Sequence, residues 1–191
     1  MRVSRFAKRT LLTATAILSS SVAAHAGPIA AGVMEYSPTV AFNRSSYTAA
    51  GATSTSVTHL DVTGTAARAF SDHYQLSAGV IVQHRDLAGT GFTGEGGMVG
   101  GQYNFNANDN LIPYVSAGLG FVQFSSNGIN DRSVLVPMLR VGFRSMIGET
   151  RSLNVSFGYQ HEVNPKSSLN DSGNMFDVGV GMSIFRGQPQ H

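Results

Sequence analysis

The sequence predicts an all-β fold, an eight-stranded antiparallel transmembrane β-barrel, and three observations predict it. Eight segments alternate apolar residues with polar or small ones, and the connections between them alternate in length. After an export-type start, no run of about 18 apolar residues follows that could cross a bilayer as a helix. A bilayer is otherwise crossed only by a closed barrel, whose backbone groups all find partners in neighbouring strands.

The first 26 residues stand apart from the rest. Arg2, Arg5, Lys8 and Arg9 form a basic start, residues 11–18 are apolar apart from threonines, and Ala24-His25-Ala26 ends on small residues. That order is the secretory signal pattern, with an apolar core too short to span as a helix. The expected organisation is a signal peptide over 1–26, cleaved after Ala26, a barrel over 27–185 and a periplasmic tail over 186–191. The segment carries 4 of the 13 Lys and Arg residues and none of the 11 acids, so the remainder has 9 against 11, a net charge of −2. The basic balance of the full chain thus belongs to the export segment, and no basic stripe remains for nucleic acid. With no cysteine, the chain offers no disulfide scaffold, thiolate metal site or cysteine nucleophile.

Side chains two apart share a strand face, and the strands follow in order. Met34, Tyr36, Pro38, Val40 and Phe42 mark the first, against Glu35, Ser37, Thr39 and Ala41. Leu60 and Val62 open a weaker second strand that continues through Gly64 and Ala66. Tyr74, Leu76, Ala78, Val80 and Val82 mark the third; Val99, Gly101, Tyr103 and Phe105 the fourth; Pro113, Val115, Ala117, Leu119 and Phe121 the fifth. Leu135, Pro137, Leu139, Val141 and Phe143 mark the sixth. The seventh alternates most regularly, Leu153, Val155, Phe157 and Tyr159 against Asn154, Ser156, Gly158 and Gln160, and Val178, Val180, Met182 and Ile184 mark the last.

Short turns are expected near 70–73, 106–110 and 148–151, and longer connections at 44–56, 85–93, 125–133 and 163–174, rich in Ser, Gly, Asn and Asp. Short periplasmic turns and longer outer loops are the habit of outer-membrane barrels. An even strand count leaves both termini in the periplasm. A soluble β-barrel would also alternate, but its outer face needs charge, and only 13% of this chain is charged.

Residues 111–121, Leu-Ile-Pro-Tyr-Val-Ser-Ala-Gly-Leu-Gly-Phe, resemble a strand common in the small outer-membrane barrels of the OmpA-transmembrane and OmpX type. Asp177, Gly179, Met182 and Ile184 are similar to the assembly signal of that group's last strand. The resemblance implies a bacterial outer-membrane location, with membrane lipid, lipopolysaccharide and the outer-membrane assembly machinery as partners and no cofactor. One departure is the position of Phe185, which is followed by six more residues where such barrels often end. Tryptophan is absent, so an interfacial girdle must come from Tyr36, Phe42, Tyr74, Tyr103, Phe105, Phe143 and Tyr159.

Parity places the charges of Glu35, Arg140, Arg144, Glu162 and Asp177 inside the barrel, with Glu35 and Arg144 toward the periplasmic end. An eight-stranded interior is just wide enough to be filled by side chains, so such charges must pair or hold water. They read as a structural ion-pair network or, alternatively, as a narrow ion or proton path. His161, in Tyr159-Gln160-His161-Glu162 at the outer end of the seventh strand, is the one candidate for catalysis. Lipid A 3-O-deacylase, itself an eight-stranded barrel, has a similar aromatic-x-His segment followed by a serine nucleophile two residues later. This chain has Val163 there, and Ser167 and Ser168 fall at the wrong spacing. The histidines at 59, 73, 84, 161 and 191 lack metal-ligand spacing. The expectation is a non-enzymatic structural or surface-interaction protein whose specificity resides in the loops at 44–56 and 163–174.

Overall fold

A computed structural model describes residues 29–48, 55–87, 90–105, 111–126, 129–163 and 172–187. The predicted export segment, with its cleavage point after Ala26, lies outside the described residues. Eight strands follow in order: β1 Met34–Thr48, β2 Thr55–Ala69, β3 Tyr74–Leu87, β4 Thr90–Asn104, β5 Leu111–Ser126, β6 Ile129–Met146, β7 Arg151–Val163 and β8 Ser172–Arg186. Each pairs antiparallel with the next, and β1 pairs with β8 to close the barrel. Closure removes every edge strand, so the whole ladder is satisfied within the chain.

The register fixes the barrel's geometry. From Pro113 the hydrogen-bonded row passes through Phe143, Val155, Val180, Val40, Val62 and Val82 to Glu95 and returns to β5 at Gln123. Pro113 to Gln123 is a stagger of ten residues over eight strands, which tilts the strands by roughly 40°.

The faces follow the alternation read from the sequence. Outward positions are apolar and exposed: Phe42 65%, Val80 62%, Val99 59%, Leu139 52% and Phe176 66%, among many others. Inward positions hold buried polar side chains instead, including Asn43, Asp61, Gln83, Arg144, Gln160 and Glu162. Water disfavours this inversion of a soluble fold, and hydrocarbon favours it. The girdle aromatics Tyr36, Phe42, Tyr74, Phe105, Phe143 and Tyr159 are all exposed on the outer wall.

The strands are longer than the alternation suggests, which corrects the expected connections. β1 continues to Thr48 and β2 begins at Thr55; residues 88–89 alone separate β3 from β4, and 127–128 alone separate β5 from β6. Residues 164–171 separate β7 from β8. Beyond the lipid both faces of a hairpin meet water, so the ladder runs on through Ser, Thr and Gly with no apolar period to betray it. The centres of the expected loops, 49–54 and 164–171, lie outside the described residues, as do the turn at 106–110, Ser167, Ser168 and residues 188–191. Arg186, assigned to the tail, is the last residue of β8.

At the end where β1 begins and β8 finishes, here the terminal end, residues 29–33 fold back under the barrel. Gly32 adopts φ 90°, a conformation that disfavours side chains. Its N–H donates to Ala69 O at 2.8 Å, and Ala69 N–H donates to Val33 O at 2.9 Å. Ile29 and Val33 are thereby buried with Ala69, Ile112, Met146 and Phe185 as a small apolar floor. At the opposite, distal end Ile81, Val122, Phe124, Val134, Val136 and Met175 form a second apolar cluster.

Candidate functional site

The lumen also holds two polar layers, one above the terminal floor and one reaching the distal cluster, where Arg85 meets Phe124 and Met175. In the layer nearer the termini, Arg144 of β6 donates through Nη2 to both oxygens of Glu35 on β1, each at 2.8 Å. Glu35 also accepts from Gln75 Nε2 at 2.9 Å and from Ser183 Oγ. The Arg144 guanidinium lies 5.2 Å from the Phe185 ring centre and 5.8 Å from that of Tyr114. Gln102, Asn104, Asn154 and Ser152 extend the network around the wall. Phe185 therefore points inward as part of this cap, and the outward residue beside it is Ile184. Parity settles this: β8 has buried odd positions and exposed even ones from residue 173 to 186.

The distal layer holds two more ion pairs. Arg140 donates from Nε to Asp177 Oδ1 at 3.3 Å, and Gln160 Nε2 donates to Asp177 Oδ2 at 2.8 Å. Arg85 of β3 makes a two-pronged pair with Glu162 of β7, donates to Gln83 Oε1 at 2.9 Å and stacks 4.1 Å from the Phe124 ring centre. Gln83 in turn donates to Asp61 Oδ2 at 3.0 Å, and His59 Nε2 stands 4.0 Å from Asp61 Oδ1.

All five charges placed inside by parity are in the lumen, and they sort into different pairs: Glu35 with Arg144, Arg140 with Asp177, and Glu162 with Arg85. Sequence reading missed Arg85, Asp61 and His59. The signal was present, because Leu60 and Val62 face out and so turn His59 and Asp61 in. Arg85 fell in a stretch read as loop.

Between the layers a polar cavity of about 100 Å³ is lined chiefly by short side chains, among them Ser37, Thr39, Thr63, Thr65, Ser77 and Ser156. That volume holds a few waters with abundant hydroxyl partners. Among the described residues the lumen is thus filled at its two ends, with a polar chamber between them. Glu35 also accepts from Gln75 and Ser183, and Asp177 from Gln160, neutral donors that offset the desolvation of these two carboxylates.

On the outer wall, His161 and Tyr159 of β7 meet Asn174 of β8. Asn174 Oδ1 lies 2.6 Å from Tyr159 Oη, which donates to it, and 2.8 Å from His161 Nδ1. An amide oxygen only accepts, so His161 Nδ1 carries the proton and Nε2 is left as the basic atom. Val163, two residues on, is exposed on the same face and supplies no nucleophile. Among the described residues no group of three His, Cys, Asp or Glu side chains is placed to hold a metal.

Among solved structures, the chain is similar to Neisserial surface protein A, at 12% identity and a TM-score of 0.64, over 80% of this chain and 98% of that one. The fold is that of a small outer-membrane β-barrel. A second likeness is to the outer-membrane protein OprG of Pseudomonas aeruginosa, at 14% identity and a TM-score of 0.50, over 82% of this chain and 97% of that one. A third is to the outer membrane enzyme PagL, at 15% identity and a TM-score of 0.53, over 75% of this chain and 97% of that one. No protein-family model and no curated protein matches the chain. The barrel is common to proteins of different activity, so the site and not the scaffold has to carry function.

Proposed function

We propose that the protein is exported by residues 1–26 and resides in the bacterial outer membrane as a non-conducting barrel with a structural or surface-interaction role. The observation that carries this reading is the combination of an apolar outer wall with a lumen stoppered at both ends. An ion crossing from the terminal side would have to displace the floor of Ile29, Val33 and Phe185, break Glu35–Arg144, and then pass Arg140–Asp177 and Arg85–Glu162. That arrangement supports the structural network over the narrow channel. Any specific partner is then met by the distal hairpins, whose rims a rigid barrel holds in place. Lipid and lipopolysaccharide meet the wall. In the assembly-signal segment, Met182 and Ile184 face outward while Asp177 and Gly179 face inward, so the first pair is presented to assembly machinery and the second serves the lumen.

The test is expression with the native start, fractionation, intact mass and gel migration before and after boiling, followed by reconstitution into planar bilayers. An outer-membrane band that shifts on boiling, a mass beginning at Gly27 and no conductance steps are expected. A soluble periplasmic protein would overturn the location, and discrete conductance steps would overturn the closed lumen.

A lipid-modifying enzyme centred on His161 is the second reading. It is favoured by the Asn174 contact, which leaves a basic nitrogen on the outer wall, and by the occurrence of an enzyme among the structural likenesses. It lacks a nucleophile at Val163, so any hydrolysis would have to use water activated directly by His161 Nε2. Lipid A hydrolysis by the wild type that is lost in His161→Ala would establish it.

A further inference from the structure

The rim of the barrel at the terminal end is chemically two-sided. On the β3–β4 side, Tyr103 meets His73, Tyr74 and Phe105 with ring centres 4.9–5.4 Å apart, an aromatic band of the kind that sits among lipid headgroups. The opposite side carries three arginines on four consecutive strands. Arg68 of β2 and Arg186 of β8 both pair in register with Met34 of β1, and Arg151 of β7 pairs with Ile184 of β8.

All three are exposed at outward positions, directly below the apolar wall. Arg68 and Arg186 are two strand spacings apart, roughly 10 Å. Arg186 lies 5.8 Å from the Tyr36 ring centre, which gives it a preferred direction along the wall. Among the described residues none of the three is engaged by a carboxylate, because the ion pairs are spent inside the lumen. Among the described residues the exposed acids of this end, Asp72 and Glu149, belong to the turns between strands.

We propose that Arg68, Arg151 and Arg186 form a seat for the phosphate groups of anionic phospholipids in the leaflet that meets the terminal end. This rests on the membrane reading above. Three guanidinium forks at headgroup depth match phosphate geometry, each able to take two oxygens, and a neutral, fully zwitterionic surface would leave their charge uncompensated. The apolar residues just above them, Tyr36, Ile184 and Leu153, would meet the acyl chains of the same lipids. The seat gives the barrel a preferred neighbour lipid on one side only.

The test is to refold the protein into nanodiscs of phosphatidylcholine mixed with phosphatidylglycerol, release it gently, and count retained lipids by native mass spectrometry. Wild type should retain phosphatidylglycerol preferentially. Arg68→Gln, Arg151→Gln and Arg186→Gln should each reduce that preference by about fivefold. Arg44→Gln, at the distal end of β1, should leave it unchanged. Equal retention of the two lipids by wild type, or a preference that survives the triple variant or falls equally with Arg44→Gln, would overturn the seat. Heat-modifiable migration reports folding of each variant, and the single variants stand in if the triple one does not fold. A chain that fails to insert even into phosphatidylcholine would instead overturn the membrane reading.

Discussion

Arg140 of β6 and Asp177 of β8 bond to each other across β7, over the α-carbon of Gly158. Gly158 pairs in register with both, and a β-carbon there would collide with the Asp177 carboxylate. The missing side chain is what lets two residues on non-adjacent strands close the distal layer. Gly158→Ala should therefore destabilise the barrel by about 1–3 kcal/mol through overpacking. The urea midpoint of unfolding from lipid vesicles measures it, and an unchanged midpoint would refute the account.

Glu35 and Arg144 should behave as a unit. Glu35→Ala leaves a buried guanidinium without its carboxylate and is expected to be destabilising by about 3–5 kcal/mol. Glu35→Leu combined with Arg144→Met removes both charges and should recover most of that loss. A double variant as unstable as the single one, in the same vesicle unfolding measurement, would mean that packing and not charge dominates the cap.

The outer wall should reject charge. Val80, 62% exposed at mid-wall, would meet hydrocarbon. Val80→Arg is expected to destabilise the inserted barrel by about 2–4 kcal/mol. In a water-soluble barrel the same change would be close to neutral, so unfolding of this variant separates the two environments directly.

The floor should be a removable stopper. Deleting residues 29–33 takes away Ile29 and Val33 but leaves the Glu35–Arg144 layer beneath them. The barrel should still migrate as a folded, heat-modifiable band and still show no conductance in a planar bilayer. Conductance on this deletion alone would show that the apolar floor, and not the ion-pair layer, is the seal.

The strands that touch lipid were legible because lipid enforces a strict period of two. Val155, Phe157 and Tyr159 cannot be shifted by one residue without placing Ser156 and Gly158 in hydrocarbon. Where that pressure ends, so does the signal. Asp86 and Leu87 complete β3, and Ser125 and Ser126 complete β5, yet neither pair differs in type from the connections beside it. The same boundary hid Arg85, which falls where the expected connection at 85–93 begins. The placing of Glu35 and Arg144 at one end of the lumen was legible, whereas the choice of Asp177 by Arg140 and of Glu162 by Arg85 was not. Parity puts Glu35 and Arg144 on one inner surface, but only the stagger of ten residues brings β1 and β6 to the same height.

Closure through β1 and β8 carries a further consequence for biogenesis. Val40 finds its partner in Val180, and Met34 in Arg186, so the seam joins the earliest and latest described parts of the chain. Until Ser172–Arg186 has left the ribosome, β1 and β7 each lack a neighbour. Those strands carry Phe42, Phe157 and Tyr159 on a face with no lipid yet beside it, the situation in which unpaired edges recruit one another. Synthesis of this chain thus creates an interval in which it has to be kept from self-association, and that interval closes only when the last fifteen-residue strand arrives.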